Sequence, residues 1–271
     1  MRTPKLTIYI ALIIVAIFAL FPFAWLISVS FKPEKEIFTE NPRWIPENPT
    51  IENYTLLFTK FRFYEALTNS ALIAVMCTAI TVAFSSIAAY GFSRYKFPGI
   101  GVMLAILMFF RMFIPASLLV PLYDLFKFFG LLNTIYAIVL GQLCTTLPFT
   151  IWLLKGFFDE LPVELEEAAF VDGMSPLQTL VRVVLPIALP GLITAALFAF
   201  WGSWNEFMFA LSFATSYART GTVAISFMMS EYKIWWGSVA SGGLVLALPT
   251  LLVSYVMQKY MVRGLTAGAI R

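Results

Sequence analysis

The 271-residue chain contains no histidine. That absence removes His-based metal centres, Ser-His and Cys-His catalysis, and imidazole proton relays. Only two cysteines are present, Cys77 and Cys144. Both lie inside apolar blocks, so they read as small buried side chains and not as a disulfide framework. Charged residues make up 12% of the chain, where a soluble domain carries about a quarter. The chain has no G-x-x-x-x-G-K-S/T loop to cradle phosphates and no H-E-x-x-H helix. It is therefore neither a phosphate-loop ATPase nor a zinc hydrolase of that type. Its net charge of +3 offers no basic stripe for nucleic acid.

What fills the chain is apolar: 60% of residues are hydrophobic and the mean hydropathy is +0.85. This is the composition of an all-α polytopic membrane protein. Six spans are expected, at residues 6–31, 66–92, 102–126, 134–154, 187–213 and 237–257, in a single transmembrane domain with a loop at 156–186. The first apolar run follows Arg2 and Lys5. It exceeds a signal-peptide core of about 7–15 residues and reads as an uncleaved span. Residues 32–66 hold Pro33, Pro42, Pro46 and Pro49, with a short helix expected over 53–58. They form the longest hydrophilic loop, a candidate docking surface. A second outer loop is expected at 214–236, anchored by Trp235 and Trp236.

Orientation does not follow from charge alone. In this layout nine basic residues fall inside, eight outside, and Arg111 lies in a span. The short basic turn Arg94-Tyr95-Lys96 and both tails favour the inside.

The most charged stretch is 160–186, ELPVELEEAAFVDGMSPLQTLVRVVLP. Six of the fifteen acidic residues fall between Asp159 and Asp172. Pro162 suits a first helical turn, and the acids near the helix start favour its dipole. Gly173 is placed to stop that helix in a left-handed conformation. Ser175-Pro176 reads as the cap and first residue of a second short helix, which Leu185-Pro186 is expected to end. The stretch is a helix–glycine–helix elbow outside the membrane.

This elbow resembles the EAA loop of binding-protein-dependent ABC permeases. The pattern is Glu167-Ala168-Ala169, three residues to Gly173, nine more, then Val183, Val184 and Leu185-Pro186. Four other stretches are similar to carbohydrate-type permeases: Asn69-Ser70, Arg94-Tyr95-Lys96-Phe97-Pro98-Gly99, Leu131-Leu132-Asn133-Thr134, and Ser203-Trp204-Asn205-Glu206-Phe207. The tail from Arg263 to Ala269 resembles the MalG-type subunit of maltose-like importers.

The resemblance implies the MetI-like fold with six transmembrane helices and both termini cytoplasmic, in a bacterial or archaeal inner membrane. It implies a MalF-like second permease, two ABC ATPase subunits that hold the ATP and magnesium, an extracytoplasmic solute-binding protein and surrounding lipid as partners. No cofactor, metal or catalytic residue is expected on this chain. The first helix of the elbow would be the coupling helix, with Glu167, Ala168, Ala169, Asp172, Gly173, Leu185 and Pro186 as its coupling residues.

Charged residues inside spans face cavities or partners, because lipid does not solvate them. Arg111 and Asp124 lie in the third span and Glu206 in the fifth. Structural ion pairing or snorkelling to an interface would also place them there. A pair such as Arg111 with Glu206 would lower the cost of both charges. Trp204, Asn205, Glu206 and Arg111 are the candidate pathway-lining residues, with Trp204 and Phe207 either stacking on a sugar or packing internally. At the family's usual place for an apolar residue, Arg111 is a departure. A secondary transporter driven by an ion gradient is the competing class, and would need inward-facing carboxylates and repeated broken helices.

Overall fold

The structure, a computed structural model, describes residues 5–39, 41–112, 115–214, 216–230 and 232–267. Arg2, Gly268, Ala269 and Arg271 of the two tails, and Phe113-Ile114 of the third span, lie outside the described residues. The chain is helical, and among the described residues its isolated β pairing is the antiparallel bridge between Met229 and Ile234.

In chain order the helices are α1 (Lys5–Ser30), α2 (Glu34–Ile37), α3 (Glu52–Thr59), α4 (Phe63–Arg94), α5 (Ile100–Met112), α6 (Pro115–Phe128) and α7 (Ile135–Asp159). The elbow follows as α8 (Glu164–Val171), α9 (Pro176–Thr179), a π-helical turn (Leu180–Val184) and α10 (Leu185–Ile187). Then come α11 (Leu189–Trp204), α12 (Met208–Phe213), α13 (Gly221–Ser226) and α14 (Trp236–Ala267).

Four of these helices are long and apolar enough to cross a membrane, and six spans result if each of two bent pairs counts as one. The bent pairs are α5 with α6, at 95°, and 176–187 with α11, at 86°. The expected fifth span is thus interrupted: α11 stops at Trp204, and a new short helix starts at Met208. The ends also move outward. The helix expected at 134–154 continues to Asp159, because Lys155 pairs with Asp159 one turn on at 2.6 Å. Lys155 therefore sits within the helix.

Contacts group the chain into two compact units, Met1–Leu67 with Gly221–Pro249, and Thr68–Thr220 with Thr250–Arg271. In the first unit, Leu57, Phe63, Ala66 and Met228 form the buried centre. Lys32 is 2% exposed there. Its ammonium donates to the carbonyl of Arg43 and lies 4.4 Å from the Trp25 ring centre, so a dipole and a π face replace its water. Asn53 donates to the carbonyls of Ser30 and Lys32 at 2.9 and 2.8 Å, tying α3 to the end of α1. The carboxylate of Glu36 accepts from the amides of Glu47 and Asn48. Trp235 has the ammonium groups of Lys60 and Lys233 each 3.8 Å from its ring centre.

In the second unit the helices are joined by polar contacts across apolar faces. Thr81 of α4 meets Thr146 of α7 at 3.1 Å, and Ser203 of α11 donates to the Gln142 side chain of α7. Such bonds hold helices together where lipid supplies no alternative partner. Ala89, Leu154, Phe158, Leu180, Val184 and Ala195 form an apolar core of this unit. Gly191 brings α11 against α7 so closely that a Cβ there would lie 2.5 Å from the Phe157 ring. Overpacking of this kind costs about 1–3 kcal/mol. Gly191→Val should therefore lower the melting temperature of the detergent-purified protein, and Phe157→Leu in the same chain should recover part of the loss.

Candidate functional site

The elbow is built as a capped unit. Val163 accepts from the amides of Glu166 and Glu167 at 2.9 and 3.0 Å, which starts α8. At the other end Gly173 has φ +83°. Its amide reaches the Phe170 carbonyl at 3.0 Å, and the Met174 amide reaches the Ala169 carbonyl at 3.0 Å. That pair of bonds is a Schellman stop, which glycine adopts without a Cβ clash. Ser175 and Gln178 then form a reciprocal capping box at the start of α9.

Leu185-Pro186 does not end the second helix. The Leu185 amide bonds five residues back, to the Leu180 carbonyl, and the helix runs on to Ile187. The extra residue of the π turn loosens the coil just before Pro186, whose ring would clash with a carbonyl four residues back in a regular helix. The bend falls at Ala188, ahead of Pro190.

The contact that seats the elbow lies one residue before the expected motif. Glu166 is 2% exposed. Arg94 Nε donates to its Oε1 at 2.7 Å, and the Tyr90 hydroxyl donates to Oε2 at 2.9 Å. Arg94 Nη2 also reaches the Leu161 carbonyl at 3.3 Å. Beside it, Ser93 donates to Asp159 at 2.6 Å. The last turn of α4 therefore grips both ends of the 159–166 segment.

Glu167 and Ala168, expected to meet the partner ATPase, are exposed, and the seating contact through Glu166 was not anticipated. Ala169 is buried against the chain itself. The missed signal was periodicity: Glu166 lies three residues before Ala169, on the same helical face, and the basic turn at Arg94 offered a partner. Asp172 is the exposed C-cap, Leu185 is half-buried beside the apolar core, and Pro186 is exposed.

The second cluster lies at the break between α11 and α12. Glu206 accepts from the amides of Phe209 at 2.7 Å and Ala210 at 3.0 Å, satisfying the first donors of α12. Asn205 is exposed, and its side chain donates to the Trp201 carbonyl at 2.9 Å. Trp204, expected to face a pathway, is buried and stacked 5.6 Å from Phe200. Its bulk serves packing in this chain.

Arg111 Nη1 donates to the Thr145 carbonyl at 2.8 Å, and the guanidinium lies 4.9 Å from the Phe149 ring centre. Arg111 and Glu206 line one cleft of about 570 Å³ together with Thr145, Gly202, Phe207, Met208 and Phe209. The structure thus brings the two charges to one place, each held by partners other than the one expected from sequence.

Two asparagines singled out by sequence turn out to fasten the segment beyond α12. Asn133, at φ +63°, accepts from the amides of Ser216 and Tyr217, and Asn69 donates to the carbonyls of Tyr217 and Arg219.

Residues 81–267 match the family described as binding-protein-dependent transport system inner membrane component. The trehalose/maltose transport system permease protein MalG of Thermococcus litoralis is 37% identical, over 98% of this chain and 97% of the relative. The trehalose transport system permease protein SugB of Mycobacterium tuberculosis is 36% identical, over 94% and 93%. A chain from the crystal structure of a bacterial ABC transporter involved in import of the acidic polysaccharide alginate has the same fold, with a TM-score of 0.80, 22% identity, and coverage of 95% and 96%. These matches select the transport-subunit class over the ion-driven alternative. With an elbow of this build and a family match spanning residues 81–267, the chain belongs to the binding-protein-dependent transport system inner membrane components, the MetI-like permeases of ABC transporters.

Proposed function

We propose that this chain is one of two permease subunits of an ATP-driven carbohydrate importer, with α8 as the helix that couples it to a cytoplasmic ATPase. The observation that carries this reading is the seated elbow. One face of α8 is anchored by Glu166 and Ala169. The other presents Leu165, Glu167, Ala168 and Val171, and Val171 is 88% exposed. An exposed apolar and acidic face on a rigidly capped helix suits a cleft in a partner. The trehalose/maltose and trehalose permeases among its relatives favour a sugar as cargo.

Because an ATPase is cytoplasmic, this reading puts the elbow and the Asp159 end of α7 inside, and six spans would put both tails there too. The hydrophilic segment 32–66 is the candidate docking surface for the solute-binding protein. An apolar groove of about 490 Å³, lined by Ala79, Ala83, Ile87, Val181, Leu192 and Ala196 among others, fits a helix of the second permease. Its small side chains allow close helix approach. The mechanism is alternating access. Binding of ATP closes the ATPase pair, α8 moves with its cleft, and the Arg94–Glu166 contact passes that displacement to α4. Arg111, Asn205 and Glu206 line the pathway, and ATP with magnesium stays on the partner.

Three outcomes test this reading. Gly173→Pro removes the amide that closes the Schellman stop, and Ala168→Trp puts bulk on the exposed face. Both should abolish ATP-driven uptake in proteoliposomes at unchanged membrane levels, and normal uptake in both would sink the coupling assignment.

Glu166→Gln leaves the Arg94 guanidinium, 12% exposed, without its counter-charge; breaking a fully buried pair costs about 3–5 kcal/mol, an upper bound here. We expect faster amide exchange across 159–172 and ATP hydrolysis no longer tied to uptake. Slow exchange and full coupling would show that the contact is only packing. Finally, Glu206→Gln should reduce uptake more than Asp124→Asn, because Asp124 is exposed and Glu206 caps α12; equal, mild losses would make both residues structural.

A further inference from the structure

Arg111 sits where a charge is least tolerated. Its hydrogen-bond partner Thr145 is ten residues from the start of α7 and fourteen from its end. At 1.5 Å per residue that is about 15 and 21 Å, the middle of a hydrocarbon layer of about 30 Å. A lipid-facing guanidinium at this depth is strongly unfavourable, so the exposed side of Arg111 faces a cavity or a protein surface. A guanidinium carries five N–H donors in a planar fork. Thr145 takes one of them, and the Phe149 ring lies against the guanidinium. The remaining donors border the cleft.

The cleft itself has a definite chemical character. Its volume of about 570 Å³ is within the range of about 300–1,000 Å³ for small-molecule sites. Among the described residues its lining pairs one basic side chain, Arg111, with one acidic side chain, Glu206, so neither sign dominates. An ionised cargo of either sign would meet one opposing and one like charge. An uncharged ligand rich in hydroxyls would meet only partners: donors at Arg111, and apolar faces at Phe207 and Met208, each 40% exposed. Carbohydrate rings present that combination, with hydroxyl edges for hydrogen bonding and C–H faces for aromatic contact.

From this geometry we infer that Arg111 is a specificity-determining residue that donates hydrogen bonds to the hydroxyl oxygens of a neutral sugar at mid-membrane, with Phe207 as the apolar face of the same site. The inference rests on the reading that this cleft lies on the translocation pathway. Glu206 is engaged by the amides of Phe209 and Ala210 at the start of α12, which leaves the guanidinium fork to cargo. Lysine would keep the charge and lose the planar fork.

The test uses the complete transporter, purified with its partners and reconstituted in proteoliposomes. Radiolabelled maltose, trehalose and a glucuronate-containing disaccharide are the cargo probes. A neutral probe should be carried in preference to the acidic one; preference for the acidic probe, or uptake of none of the three, overturns the cargo class. Arg111→Gln and Arg111→Lys should each lower neutral-sugar flux by roughly 10- to 100-fold, the loss of one or two charge-assisted hydrogen bonds. Loaded binding protein should still stimulate ATP hydrolysis in both variants. Unchanged flux, or flux and stimulation lost together, overturns the role of Arg111 in favour of a structural one.

A Gly202→Cys variant on a Cys77→Ser, Cys144→Ser background separates this inference from the pathway reading, because residue 202 lines the cleft and a Cβ there meets only Thr146 at 3.9 Å. Labelling of residue 202 by a water-soluble maleimide during turnover, slowed by the neutral probe, supports both. Labelling that no sugar slows leaves the pathway in place and overturns the binding site. No labelling at all removes the pathway reading, and the inference falls with it.

Discussion

The elbow depends on one buried ion pair. Glu166 is enclosed by its own chain, and Arg94 and Tyr90 donate to its two oxygens. Two charges removed from water repay their desolvation only with good geometry and further hydrogen bonds, and this trio supplies both. The pair holds α8 against the end of α4, and Arg94 reaches the Leu161 carbonyl as well. Remove that seat and α8 becomes an eight-residue amphipathic segment, too short to persist by itself. The helix that presents Glu167 and Ala168 outward is therefore rigid because of residues that face the other way.

The same constraint, that a polar group away from water must find a partner, governs the interrupted helices. The stretch from Asn205 to Phe207 interrupts what would be a continuous span. Freed amides at the start of α12 are satisfied by Glu206, and Asn205 turns its side chain back to the Trp201 carbonyl. Backbone of this kind is tolerated at membrane depth where protein or a cavity covers it. Arg111 follows the same logic through a carbonyl and a ring. The π turn at Leu180–Val184 does so for Pro186 by shifting the hydrogen-bond register one residue.

Much of the architecture was legible in the sequence, and the reasons are local. Long apolar runs have one stable solution in lipid, the helix, because each amide is satisfied within its own segment. Gly173 and Ser175 announced a stop and a start by backbone chemistry that needs no tertiary partner, and both are as expected. The α3 helix, expected over 53–58, spans Glu52–Thr59. The EAA spacing located the elbow for the same reason: a turn of fixed geometry leaves a fixed pattern.

Tertiary structure decided which of several equivalent side chains face inward. Glu164, Glu166 and Glu167 all lie in the first turn of α8, and the spacing of Glu166 to Ala169 hints at a face without naming its partner. Only the approach of Arg94 and Tyr90, more than seventy residues earlier, selects Glu166. Trp204 was a candidate for the pathway on chemistry alone, and the position of Phe200 buries it. The meeting of Arg111 and Glu206 in one cleft depends on how α5, α7 and the α11–α12 break come together. Sequence by itself determined that the chain is helical and where its long apolar runs lie, because hydrogen bonding within a segment is a local property. The structure alone determined the partners of each charge, because those are chosen by distance between segments far apart in the chain.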